Sequence, residues 1–199
     1  MTLDQQRDAI LSGDPSRAMP ALAGLRDLPP EQAVPLLLLG LQQSAFMVRS
    51  LSCAGLGVKP TEAGWLALVS ALENDGDANV RAEAANALVS HSLVRAWPLL
   101  RRAFACNGEW LVRCSILSAV AEHPEMAPAD LLELAQLALV DGDGTVRAGA
   151  AEILGRLVRE GGQAQPPAPW ATQARAALAD LQQDRDHRVV AAALNGLQG

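Results

Sequence analysis

Arginine recurs at one position of a repeated pattern, directly after a valine. The pattern occurs four times in full, and its arginines are Arg49, Arg81, Arg113 and Arg147. A guanidinium can donate two parallel hydrogen bonds to a carboxylate, and the N-terminus of a helix attracts anions. The row therefore predicts charge-assisted contacts that fix the register between repeats, with an anion-binding row as the alternative.

The three histidines do not form a metal-binding pattern. His91 and His123 each follow a repeated valine by 11 residues, which places them in equivalent positions one repeat apart. Packed helices lie about 10 Å apart, whereas a metal site needs three or four ligands around one ion. We therefore expect no metal site, and we expect His187 to be exposed to solvent.

The three cysteines predict neither a disulfide framework nor a clear nucleophile. An odd number without Cys-x-x-Cys spacing is typical of a reducing compartment. Cys53 aligns with expected core positions, where a thiol behaves as a small hydrophobic group, and Cys106 and Cys114 are the candidates for a reactive thiol. Glycine-rich phosphate loops and the GxSxG and HExxH motifs are absent, so the sequence favours a non-catalytic protein without a cofactor.

Composition narrows the classes of partner and location. The 199 residues carry a formal net charge of −6, which argues against nucleic acid as the main partner because phosphate binding needs a basic footprint. The longest apolar run, 33–41, is too short for a membrane span and contains proline and glycine. The first residues are polar and acidic, so we expect no signal peptide and a cytoplasmic protein.

The repeat itself indicates the fold. Including a degraded fifth copy, the valines stand at 48, 80, 112, 146 and 189, so the spacings are 32, 32, 34 and 43. Periods in this range are typical of solenoids of helix pairs. The sequence therefore predicts an all-α, right-handed α-solenoid of about six helix pairs.

Each repeat is predicted to contain a first helix, a turn and a second helix that opens with the Val-Arg pattern. First helices are expected at 31–43, 61–73, 93–105, 128–140 and 169–183, and second helices at 45–55, 79–89, 110–121, 145–159 and 188–197. Asp77, Asp143 and Asp186 precede the valines by three residues and suit N-caps. Trp65 and Trp97 occupy the same position one repeat apart and are predicted core residues.

The predicted organisation is a single solenoid with four parts. Residues 1–29 form an N-terminal capping pair, opened at its second helix by Asp14 and Pro15, and 30–160 hold four regular repeats. Residues 161–169 are a loop insertion rich in glycine and proline, and 170–199 form the C-terminal repeat.

The pattern Asp-x-x-Val-Arg-x-x-Ala-Ala-x-x-Leu-Gly resembles HEAT repeats, and residues 143–155 carry it best. The period is shorter than in typical HEAT units, and in this the chain is similar to the HEAT-like repeats of the phycobilisome lyase group of cyanobacteria. Residues 109–117 resemble the phycobilisome-degradation type within that group. The resemblance implies that each arginine of the repeated pattern pairs with an aspartate of a neighbouring repeat, and we call this row of pairs the ladder. The predicted ladder comprises Arg49, Arg81, Arg113, Arg147, Asp77 and Asp143.

The resemblance also implies that the second helices line a concave face. The outward positions there predict a protein-binding surface formed by Glu83, Asn86, Ser118, Glu122, Glu152 and Arg156. The first functional hypothesis is a non-catalytic scaffold, adaptor or chaperone that binds a protein partner, with phycobiliproteins as the partner class that the resemblance implies. The alternative is a bilin lyase-type enzyme that attaches or removes a tetrapyrrole on such proteins.

Overall fold

The computed structural model describes residues 1–121, 123–163 and 165–198. Over these residues the chain is all α-helical, with twelve helices in sequence. Their bounds are α1 Leu3–Leu11, α2 Pro15–Ala23, α3 Pro30–Gly40, α4 Phe46–Gly57, α5 Glu62–Asn74, α6 Ala78–His91, α7 Leu93–Cys106, α8 Trp110–Ala121, α9 Pro128–Leu139, α10 Gly144–Gly161, α11 Pro169–Leu181 and α12 His187–Gln198. The predicted helices are all present, with ends that differ by a few residues.

Local chemistry explains several of the helix starts. The carboxylates of Asp14, Asp77 and Asp143 accept hydrogen bonds from backbone N–H groups two residues later, at 2.7 to 2.8 Å. Each thereby satisfies a donor that the first helical turn leaves unpaired. Proline opens α2, α3, α9 and α11, where its missing N–H costs no helical hydrogen bond.

The chain divides into two compact units, 1–104 and 105–199. In the first, α1, α3 and α5 pack in sequence as one layer, and α2, α4 and α6 pack as a second layer. In the second, α8, α10 and α12 form one layer, and α9 packs on α11. Odd-numbered and even-numbered helices therefore segregate within each unit, as expected for stacked helix pairs.

The repeated valines anchor the core of both units. Val48, Val80, Val112, Val146 and Val189 are each at most 1% exposed. Trp65 is buried as predicted, whereas Trp97 is only half-buried, so the two positions are not equivalent.

Small residues allow the even-numbered helices to approach one another closely. A Cβ on Gly155 in α10 would lie 2.9 Å from the Cα of Gly196 in α12, which is closer than real Cβ atoms come. In the first unit, a Cβ on Gly57 would lie 3.0 Å from the Cβ of Ala87. Side chains at these glycines would push the helices apart, so the Ala- and Gly-rich composition is a packing requirement.

Candidate protein-binding surface

The arginine row forms ion pairs between successive turns. Arg49 donates from Nε to Oδ2 of Asp75 at 2.8 Å and from Nη2 to Oδ1 at 2.9 Å. Arg113 pairs in the same way with Asp141 at 2.6 and 3.0 Å. Each arginine opens one even-numbered helix and binds the carboxylate in the turn before the next one. These bidentate contacts fix the register of adjacent repeats.

The third pair is the most buried. Arg147 donates to both carboxylate oxygens of Asp184 at 2.8 Å, and the two side chains are 7% and 11% exposed. Arg147 also donates from Nη1 to the backbone carbonyls of Asp141 at 2.9 Å and Gly142 at 3.2 Å. One guanidinium thus joins its own turn to the following turn.

Arg81 differs from the other three arginines. Its Nη1 donates to the backbone carbonyl of Asp75 at 2.7 Å. Arg147 makes the equivalent bond to the carbonyl of Asp141, in the turn that precedes its own helix. The residue that corresponds to Asp141 and Asp184 in the next turn of the sequence is Asn107, which carries no charge. Arg81 therefore keeps the backbone contact of the ladder without the matching aspartate.

The prediction that Asp77 and Asp143 belong to the ladder is wrong. Both are N-caps, and their carboxylates are turned towards the backbone N–H groups of Asn79 and Thr145. The pairing aspartates stand two residues earlier in each turn. The carboxylates of Asp75 and its equivalents also fill the guanidinium forks that an anion-binding row would have to leave open.

A recurring Asp-x-Asp pattern is the signal that would have located the ladder aspartates. It occurs as Asp75-Gly76-Asp77, Asp141-Gly142-Asp143 and Asp184-Arg185-Asp186. In each copy the first carboxylate accepts from the N–H of the second aspartate at 2.8 to 2.9 Å and also receives the arginine. The second aspartate caps the helix, so the pattern contains one ladder residue and one cap.

Electrostatics follow this geometry. The hydrogen bonds from Arg147 lower the pKa of Asp184 below its ordinary value, against the opposing effect of burial. Asp75 is more affected by burial, which raises its pKa, yet the bonds from Arg49 and from the Asp77 N–H leave a net lowering. Both carboxylates are therefore held ionised in the folded chain.

A second row of basic side chains, which the sequence interpretation missed, caps the ends of even-numbered helices or the turns after them. Lys59 donates from Nζ to the carbonyls of Arg26 and Leu28, both at 2.6 Å. His91 Nε2 lies 2.8 Å from the carbonyl of Leu56, and because a carbonyl can only accept, this nitrogen carries the proton. The His91 contact satisfies one of the last carbonyls of α4, whereas Lys59 binds carbonyls of the turn after α2.

Arg156, one of the predicted binding residues, belongs to this second row of basic side chains. Its Nη1 donates to the carbonyls of Ala121 at 2.5 Å and His123 at 3.0 Å, and its Nε donates to Glu160 at 2.7 Å. The guanidinium thus binds the backbone carbonyls at and just after the end of α8. The shared signal in the sequence is a basic residue 10 or 11 positions after a repeated valine.

The remaining predicted binding residues divide between the two units. Glu83 and Asn86 lie on α6 and are half-buried, and burial raises the pKa of Glu83. Ser118 on α8 and Glu152 on α10 are exposed, while Glu122 lies outside the described residues. Glu152 and Arg156 line one open cavity of about 590 Å³ between α8 and α10.

Accessibility along the even-numbered helices follows the repeat. The residues 3 and 6 positions after each repeated valine are half-buried or exposed, whereas the residue 4 positions after it is buried. The outward residues, here called the B-helix face, are Leu51, Ala54, Glu83, Asn86, Ser115, Ser118, Gly149, Glu152, Ala192 and Asn195. Each even-numbered helix from α4 onward therefore presents one accessible strip.

Burial keeps two of the three cysteines in the thiol form. Burial raises the pKa of Cys53 to about 12 and that of the half-buried Cys114 to about 11. Cys106 is exposed. Because the thiolate is the reactive form, Cys53 and Cys114 are poor nucleophiles at neutral pH.

The described part of the chain offers neither a membrane span nor a cluster of metal ligands. Its helices include none long and apolar enough to cross a membrane. Among the same residues, no group of three or more His, Cys, Asp or Glu side chains could hold a metal ion.

Comparison with known sequences relates the central part of the chain to one family. The profile of the family described as HEAT repeats matches residues 65–155. A comparison with curated protein sequences gives no match.

Comparison with solved structures supports the fold over the whole chain. The chain is similar to YibA of Escherichia coli, with 17% identity and a TM-score of 0.67 over 99% of this chain and 70% of that one. It is similar to the complex of CpcE and CpcF of phycocyanin lyase from Nostoc, with 19% identity and a TM-score of 0.59, over 98% of this chain and 76% of the matched chain. A designed armadillo repeat protein in complex with the peptide (KR)4 gives 18% identity and a TM-score of 0.58 over 100% and 99%. The chain therefore has the all-α fold of HEAT and armadillo repeat solenoids.

Proposed function

We propose that this chain is a non-catalytic scaffold that binds a partner protein along the B-helix face. The observation that carries the proposal is the repeated accessibility of that face, because the same two positions remain open after every repeated valine. Within each unit, the outward side chains of neighbouring even-numbered helices recur at helix-packing distances and can contact several points of a partner. The designed repeat protein with a bound peptide is an example of this fold in that role.

The chemistry of the face suits a protein more than a nucleic acid. Its charged members, Glu83 and Glu152, are acidic, and its other polar members are serines and asparagines. Phosphate-binding surfaces instead need clustered lysines and arginines. A mixed polar surface of this kind favours a transient interface with modest salt dependence.

Phycobiliproteins are the partner class that we propose. This narrower proposal rests on the resemblance to the phycobilisome lyase group and on the fold shared with the CpcE and CpcF complex. The alternative function, bilin lyase-type chemistry, rests on the same resemblance. Titration of the purified chain with a bilin separates the two, because a saturable shift of the visible spectrum favours the enzyme and an unchanged spectrum favours the scaffold.

The proposed surface can be tested with a partner captured on the immobilised chain and then titrated by calorimetry. Glu83→Lys and Glu152→Lys reverse one charge in each unit, and each is expected to weaken binding about tenfold. Leu66→Lys is the control, because Leu66 is a 60% exposed residue of the odd-numbered helix α5. Unchanged binding by both glutamate variants, with binding lost in the control, would contradict the assignment.

A further inference from the structure

One repeat departs from the polar character of the B-helix face. At the positions 3, 6 and 10 residues after Val48, all three side chains are apolar. They are Leu51, Ala54 and Val58, where the next repeat has Glu83, Asn86 and Ser90. Val58 is 64% exposed, and the other two are half-buried. The first regular repeat thus exposes apolar surface where its neighbour has polar groups.

These residues line a cavity of about 400 Å³, here called the α2–α4 pocket. Its apolar walls are formed by Leu22, Leu25, Leu37, Leu51, Ala54 and Val58. A volume in this range is at the small end for ligand sites and suits a few side chains. Apolar pockets of this size commonly hold the anchor residues that dominate the affinity of a protein interface.

The rim of the pocket is cationic. Arg26 and Lys59 are the only charged residues among its described lining, and the Arg26 side chain is exposed. Lys59 donates two of its three N–H groups to the carbonyls that follow α2, which leaves one N–H to offer. Lys59 also offsets the negative potential of those carbonyls, which would otherwise repel an anion.

We propose that the α2–α4 pocket binds an apolar anchor side chain of the partner protein, with an acidic residue next to that anchor. The proposal rests on the proposed function, since it assigns one docking point on the protein-binding face. Burial of a leucine-sized side chain supplies affinity, and the carboxylate beside it complements Arg26 and Lys59. The charge of the rim selects an acidic neighbour over a basic one.

The test uses a fluorescein-labelled peptide with two leucines between acidic residues and measures fluorescence polarisation with the full chain. One matched peptide replaces the leucines by serines, and another replaces the acidic residues by lysines. Both matched peptides are expected to bind at least tenfold more weakly than the parent peptide. Binding of the parent peptide is also expected to weaken as the salt concentration rises.

Variants of the chain locate the site. Leu51→Glu and Val58→Ser introduce the residues of the next repeat, and Arg26→Glu reverses the charge of the rim. Each is expected to weaken binding of the acidic leucine peptide about tenfold. Val140→Ser is the matched control, because Val140 is 86% exposed and lies in the other unit. This variant should bind the acidic leucine peptide as tightly as the unmodified chain does. Val58→Ser keeps the test valid if Leu51→Glu fails to fold, because Val58 is mostly exposed.

Two results would overturn the pocket assignment. One is equal binding of the three peptides, and the other is unchanged binding of the acidic leucine peptide to Val58→Ser and Arg26→Glu. If the captured partner still loses affinity for Glu152→Lys in either case, the pocket is wrong while the protein-binding face stands. Self-association in sedimentation that Val58→Ser abolishes would assign the pocket to a second copy of the chain and would also overturn the proposal.

Discussion

Replacing Arg147 by alanine tests the ladder at its most buried rung. The change removes four hydrogen bonds, two to Asp184 and two to backbone carbonyls. It leaves a carboxylate that is only 11% exposed without its cation. Breaking a buried ion pair in this way costs about 3–5 kcal/mol.

The surviving contact of Asp184 reduces that cost. Its Oδ1 still accepts from the N–H of Asp186 at 2.8 Å, and the carboxylate retains some access to water. We therefore expect Arg147→Ala to lower the free energy of unfolding by about 2–4 kcal/mol. With a urea m-value of about 2 kcal/mol per molar, the midpoint should fall by about 1–2 M.

Urea unfolding followed by circular dichroism provides the assay, with Asp184→Ala and the double variant completing a double-mutant cycle. A coupling energy above about 1 kcal/mol is expected for two groups in direct contact. Arg81→Ala is the matched control, because its one described bond, to the Asp75 carbonyl, is worth about 1 kcal/mol. Equal midpoints for the two arginine variants, or coupling near zero, would refute the reasoning.

Three further predictions concern stability in acid, thiol accessibility and amide exchange. Because the pKa of Asp184 is lowered on folding, its contribution to stability is complete above the unfolded value of about 3.9 and is lost as the pH falls below it. The urea midpoint of Asp184→Asn should therefore lie well below that of the parent at pH 6 and approach it near pH 3. A difference in midpoint that persists undiminished at pH 3 would contradict this. An aromatic disulfide reagent should modify the exposed Cys106 first and Cys53 only on unfolding, which mass spectrometry can check; early labelling of Cys53 would be inconsistent with its burial. Amides of α12 should exchange faster than those of α10, because Val190 replaces the ladder arginine in this terminal helix, and slower exchange in α12 would be the contrary result.

The helices could be predicted from the sequence because their signals are local. Aspartate caps, N-terminal prolines and repeated valines mark starts and buried faces without reference to other parts of the chain. These signals predict Asp77 and Asp143 as caps, and the structure confirms that they cap α6 and α10.

The contacts between repeats were harder to predict. Each relevant turn contains two aspartates, and only the direction of each carboxylate decides which one caps and which one receives arginine. The sequence predicts Arg156 on the binding surface because its position on the helix is outward, and it gives no sign of the hydrogen bonds that this side chain makes. Its contact with the end of α8 depends on where the chain places those carbonyls.

The α2–α4 pocket illustrates the same limit. Leu51, Ala54 and Val58 can be seen to be apolar in the sequence, but the cavity also needs Leu22 and Leu25 from the preceding repeat. That repeat lacks the Val-Arg pattern, so its residues cannot be aligned with those of the other repeats from the sequence. Features within one repeat were therefore predictable, whereas features formed between repeats required the structure.

Site-specific photo-crosslinking to a captured partner tests the protein-binding face most directly. A photoreactive phenylalanine analogue placed at residues 86, 118 and 152 samples that face, and one placed at Leu66 samples the odd-numbered helix α5. The proposed function predicts crosslinks to the partner from the first three sites and none from Leu66. Crosslinks from Leu66 alone would place the partner on the odd-numbered helices and contradict the account.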